Sequence, residues 1–144
     1  MKSNSLTKIT FYRVKENSVK IQLICTKAEE AFKKEKRLLI TVPNFQAAQY
    51  VETLLWRVPA ESFMPHVVAD TATAEWIAIT MQEQHNVNQA VCLLNLCPTP
   101  SPLFQQFLEI YEFYDETHPQ KTELSEQRLQ HYQSKGYLVK VEEL

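Results

Sequence analysis

The run RLLITV at residues 37–42 is apolar at almost every position and β-branched towards its end. A strand with one wet face alternates polar and apolar residues. An unbroken apolar run belongs to a strand covered on both faces, which calls for helices above and below a parallel sheet. The flanking segments fit that demand. Pro43 stops the run, and Asn44 is placed to cap a helix over residues 45–56. Ala47, Ala48, Val51, Leu54 and Leu55 form one face of it. Upstream, ITFYRV at 9–14 reads as a strand. Ser18 is the expected N-cap of a helix over 19–34, in which Ile21, Ile24, Cys25, Ala28, Ala31 and Phe32 recur at helical spacing. Its basic end, Lys33, Lys34, Lys36 and Arg37, suits the negative pole of a helix dipole.

Three further short runs read as strands: HVVA at 66–69, WIAIT at 76–80 and AVCLL at 90–94. Residues 81–89 are too few and too polar for a full crossover helix. CPTPSP at 97–102 imposes a non-helical turn, after which Pro102 is predicted to open another helix. Leu103, Phe104, Phe107, Leu108 and Tyr111 would be its apolar face, with 113–119 as a link. Residues 121–135 are predicted helical, closed by Gly136 at the C′ position, and YLVKV at 137–141 is a candidate terminal strand. The whole predicts one α/β domain of 144 residues. It is Rossmann-like, with a mostly parallel open sheet, helices on both faces and residues 1–6 frayed.

Gly136 is the only glycine. A Walker loop or a G-x-G-x-x-G turn needs several, because the backbone must adopt positive φ and approach a phosphate closely. The phosphate loop of a Rossmann-like fold is therefore excluded, and so is a G-x-S-x-G nucleophile elbow. His66, His85, His118 and His131 do not pair with cysteine or one another at zinc spacing. The acidic pairs Glu29–Glu30 and Glu142–Glu143 are sequence neighbours, whose side chains point apart. Cys25, Cys92 and Cys97 read as reduced packing thiols. A net charge of −2 argues against strong direct nucleic-acid binding. No apolar run reaches the roughly 20 residues of a membrane span, and the N-terminal residues form no apolar signal core. These features predict a cytoplasmic, non-enzymatic protein without metal or cofactor.

LLWRVPAESFMPH at residues 54–66 concentrates a Trp, a Phe and two prolines between a helix and a strand. Exposed aromatics in a proline-stiffened segment are anchors for a protein partner. With TFYRV, LICTKAEEAFKKEKRLLI and, more loosely, FLEIYEFYDE and RLQHYQSKGY, this stretch resembles the chi subunit of the bacterial DNA polymerase III clamp loader. The W-x-x-P-A-E-S-F-x-P-H pattern is the most specific part.

That resemblance implies a parallel α/β adaptor, a monomer on its own. One surface would bind the psi subunit of the clamp loader, or a damage-response helicase. Another would bind the acidic, Phe-terminated C-terminal tail of single-stranded DNA-binding protein. By the same resemblance Trp56 and Phe63 would contact psi or a helicase, with Arg57 at the rim and Pro59 and Pro65 stiffening the loop. The last helix departs from the family. Aligned on Gly136, the family's basic positions fall at Thr122, Glu126 and Gln130, and a tyrosine position falls at Leu129. Arg128 and Tyr132 match a family arginine and aromatic. Lys121, Arg128 and Lys135 recur at heptad spacing, which predicts a cationic stripe for the tail, with Tyr132 one turn on from Arg128. A solvated helix face is the competing reading. The function implied is thus an adaptor between clamp loader and single-stranded DNA-binding protein. The alternative is a chi-like adaptor for a repair helicase whose tail site is weakened or lost.

Overall fold

A computed structural model describes residues 7–57 and 64–144. Residues 1–6, expected to fray, lie outside them. In chain order the elements are β1 (Lys8–Val14), α1 (Asn17–Lys33), β2 (Leu38–Thr41), α2 (Phe45–Trp56), β3 (His66–Val68), β4 (Ile77–Thr80), β5 (Cys92–Asn95), β6 (Glu109–Asp115), α3 (Pro119–Ser134) and β7 (Val139–Glu142). A 3-10 turn over Phe104–Gln106 precedes β6. The strands form one seven-stranded sheet in the order β3-β4-β2-β5-β6-β1-β7. Every pairing is parallel.

All four residues of β2 are buried, as are those of β4 and β5. Their side chains alternate between two cores. Leu38 and Ile40 of β2, Ile77 and Ile79 of β4, and Cys92 and Leu94 of β5 pack against α1 and α2 through Ile24, Ala28, Ala48, Val51 and Leu55. Leu39, Ala78 and Leu93 face the other way, with Phe11, Phe107, Ile110 and Tyr132 of α3. The sheet is thus covered by α1 and α2 on one face and by α3 on the other. The chain leaves β1 through α1 and the adjacent β6 through α3, so neighbouring strands feed opposite faces. Such a divergence leaves a crevice outside the carboxyl ends of the strands.

Two expectations are corrected. The helix predicted from Pro102 does not form: a short 3-10 turn leads into β6, which also takes the first three residues of the predicted link at 113–119. Phe104 and Phe107 pack on the α3 side of the sheet; the Phe104 ring meets Tyr132 at 6.0 Å and Tyr137 at 5.3 Å. Glu112 hid the strand. It is fully buried, and its partners Asn95, Arg128 and Tyr132 come from elsewhere in the chain. Ser18 is not the cap of α1. The helix starts earlier, Glu16 is the capping position, and its backbone oxygen takes the N–H of Val19 and Lys20 without a side-chain cap.

Candidate partner-binding site

Asn44 starts α2 as expected: its Oδ1 accepts the N–H of Ala47 at 2.8 Å. Ala48, Val51, Leu54 and Leu55 then face the core. The outer face carries Phe45, Tyr50 and, as the last helical residue, Trp56, which is 63% exposed. The Trp56 ring stands edge-on to the His66 ring at 4.7 Å. His66 is fixed in turn by Nδ1 against the Met64 carbonyl at 2.9 Å, and its buried Nε2 has no partner among the described residues. Met64, at the start of the return to β3, is buried in the α1–α2 core. Arg57 is exposed and ends a groove of about 280 Å³ along α2, lined by Gln46, Gln49, Tyr50, Thr53 and Leu54. Pro59 and Phe63 lie outside the described residues. The structure thus brings Trp56 and Arg57 together on an open surface. Sequence reasoning does not single out Phe45 and Tyr50; a helical wheel places both off the apolar face.

The stripe on α3 is a correction. Lys121, Arg128 and Lys135 do not form an exposed cationic stripe, because Arg128 is turned into the sheet. Ser125, Arg128 and Tyr132 are the buried residues of α3. Arg128 donates Nε to Glu112 at 2.9 Å, Nη1 to the Pro98 carbonyl, and Nη2 to the Phe113 carbonyl and Ser125 Oγ. Tyr132 donates its hydroxyl to Glu112 at 2.6 Å and accepts the N–H of Ser101. Burial pushes the Glu112 carboxyl up, against the pull of Arg128, Tyr132 and Asn95. The network joins β5, β6 and α3 from beneath. Lys121 and Lys135 are exposed at opposite ends of the helix.

On the outer side of α3, Glu126 accepts the Tyr114 hydroxyl at 2.6 Å and the Gln130 amide at 2.9 Å. The Tyr114 bond, then that of Gln130, holds its carboxyl below the usual range. The position therefore stays anionic. Leu129 is half-buried against the α3 side of the core.

The crevice predicted by strand divergence is present. It has a volume of about 440 Å³ and lies between the first three turns of α1, α2 and α3. At its edge Lys20 reaches Asp115 at 2.6 Å. Burial pushes Asp115 up, but the bonds from Lys20 and Thr117 prevail and hold it low. Cys97 on its floor is a buried free thiol, pushed up to about 12 by burial and by Glu83, which makes it a poor nucleophile. Among the described residues no cluster of three or more His, Cys, Asp or Glu is placed to hold a metal, and no helix is long and apolar enough to cross a membrane.

The family described as DNA polymerase III chi subunit, HolC, matches residues 6–140. The chain belongs to the chi subunit family of DNA polymerase III. It is also similar to DNA polymerase III subunit chi of Escherichia coli (strain K12), with 27% identity over 120 residues, spanning 81% of this chain and 80% of the relative. The glycine-poor, all-parallel sheet is therefore the frame of a chi-type polymerase III subunit. In this chi-family chain the α2 outer face stays open, while α3 carries Glu126 on its outside and Arg128 within.

Proposed function

We propose that the chain is a non-catalytic accessory subunit of the DNA polymerase III holoenzyme. It is a cytoplasmic adaptor, monomeric on its own, that docks a psi subunit through the carboxyl end of α2. The observation that carries this reading is Trp56, the last residue of a well-capped helix yet 63% exposed, with its ring edge-on to His66. A large rigid aromatic presented in this way is the usual centre of a protein interface. Arg57 would form the charged rim, and Phe63 with Pro59 would complete the contact. Affinity purification with the tagged chain from its source cell tests this. The parent chain should retain a psi-type subunit, and a folded Trp56→Ala/Phe63→Ala variant should lose it. Equal recovery by both would reject the docking site.

The link to the acidic tail of single-stranded DNA-binding protein is the second half of the proposal. It would rest on Lys121 and Lys135, since Arg128 and Tyr132 are committed to the interior. Glu126, fixed by Tyr114 and Gln130, favours a weakened tail site, and so favours the helicase adaptor as the alternative. Titration with a synthetic acidic peptide ending in Phe separates the two. Salt-sensitive binding supports the replication adaptor, and absence of binding at low salt supports the alternative.

A further inference from the structure

We propose that the outer edge of β7 pairs with the same edge of a second copy of the chain, antiparallel about a two-fold axis, so that two sheets run into one. β7 ends the sheet beyond β1, and no described strand pairs with its other side. An edge strand presents a row of unpaired N–H and C=O groups, a template for another strand. The opposite edge is better covered: β3 has three residues, all half-buried, and α2 packs beside it. β7 and its flanks instead carry apolar side chains into water. Leu138 is 93% exposed, Val141 44% and Leu144 67%. Charges commonly guard such an edge. Here they are already matched within the chain. Lys140 holds Glu142 at 2.8 Å, and Glu143 turns back to Arg13 of β1 at 2.7 Å.

The strand is complementary to itself in one register. Val139 lies opposite Ile9 and Val141 opposite Phe11, on the α3 side of the sheet. Lys140 and Glu142 lie opposite Thr10 and Tyr12, on the α1 side. Antiparallel partners share a face, so the possible registers differ by two-residue steps. With Val141 opposite Val141 of the second copy, Lys140 meets Glu142, Glu142 meets Lys140, and Leu138 meets Leu144. A slip of one step sets Lys140 against Lys140 or Glu142 against Glu142. Opposite charges across a strand pair stabilise it and like charges destabilise it, so one register is selected. The contact is isologous and closes at two copies. A four-residue strand gives a small, transient interface, with a Kd on the order of 0.1–1 mM. The chain at micromolar concentration therefore stays monomeric. Pairing takes hold where two copies are tethered in one assembly, at an effective concentration in the millimolar range.

The inference does not rest on the docking reading. α2 lies beside β3 and β4, at the far end of the sheet from β7, so paired chains keep Trp56 free. The test is a dilution series of the full chain, labelled with nitrogen-15, from about 20 µM to about 2 mM, read by NMR and by sedimentation equilibrium. The parent should move from monomer to dimer, with shifts gathered at residues 138–144 and none at 45–57. Lys140→Glu alone sets two carboxylates opposite each other, and Glu142→Lys alone sets two ammonium groups opposite each other. Each should weaken self-association about tenfold, with Tm unchanged because the Lys140–Glu142 pair is exposed. Lys140→Glu with Glu142→Lys in one chain should restore parent affinity. An equimolar mixture of the two single variants should pair at least as tightly as the parent, since every charge then meets its opposite. A monomer throughout the series, assembly beyond two copies, shifts centred elsewhere, single variants that associate like the parent, or a mixture that does not pair each overturn the proposal.

Discussion

Replacing Arg128 with Met separates a core role from a surface role. Arg128 is 6% exposed, and its partner Glu112 is fully buried at 2.9 Å. Removing one member of a buried ion pair leaves the other charge uncompensated, which costs about 3–5 kcal/mol. Two main-chain oxygens, of Pro98 and Phe113, also lose a donor, adding about 1 kcal/mol. A loss of about 4–6 kcal/mol is a large part of the 5–15 kcal/mol of a typical domain and lowers Tm by about 10–20 °C. Circular dichroism melts at several pH values measure it. Glu112 already has its folded pKa raised by burial, and without Arg128 it rises further. A carboxyl whose folded pKa lies above the unfolded value gives stability that is complete below the unfolded pKa and lost as pH rises through the folded one. The variant's deficit should therefore be smaller near pH 5 than near pH 8. Arg128→Met with Glu112→Leu should recover part of the loss. A deficit below about 1 kcal/mol, the same at both pH values, would refute the buried-pair reasoning and return Arg128 to the surface.

Gly136 ends α3 at φ 93°, so Gly136→Ala should cost about 1 kcal/mol or more in urea denaturation, with the same slope. Asp115 has a lowered folded pKa, so its stability is present above the unfolded pKa and lost as pH falls through the folded one. Lys20→Met removes the strongest cause of that lowering, and its deficit in acid titration should be largest near neutrality and vanish in strong acid. Glu126→Lys with Gln130→Lys should strengthen binding of an acidic, Phe-terminated peptide in fluorescence titration, most at low salt. Unchanged binding would mean that the outer face of α3 is not where such a tail lies.

Sequence logic reached the elements whose signals are local. α2 runs over the residues that Asn44, the apolar face and Trp56 marked out, and β1, β2 and β4 lie within a residue or two of their runs. The unbroken RLLITV run announced a strand covered on both sides, and the sheet bears it out. β6 was illegible because Glu112 breaks its pattern, and the partners that make its burial tolerable sit on α3 and β5. The same distance effect hid the true setting of Arg128. Heptad spacing shows which residues share a helix face, but not whether that face meets water or the sheet. Exposure of Trp56 was inferred from composition and pattern, and the structure gives it a definite setting against His66. The crevice was not legible at all, since it is built from the N-terminal turns of helices and from strand ends far apart in the chain.

The central claim is that the carboxyl end of α2 docks a psi subunit through Trp56. Calorimetric titration of purified psi into the folded parent chain and into Trp56→Ala tests it most directly. The account predicts a one-to-one complex whose affinity falls at least about thirtyfold in the variant, a hot-spot loss of about 2 kcal/mol, with Tm unchanged. Equal affinity for parent and variant would contradict it.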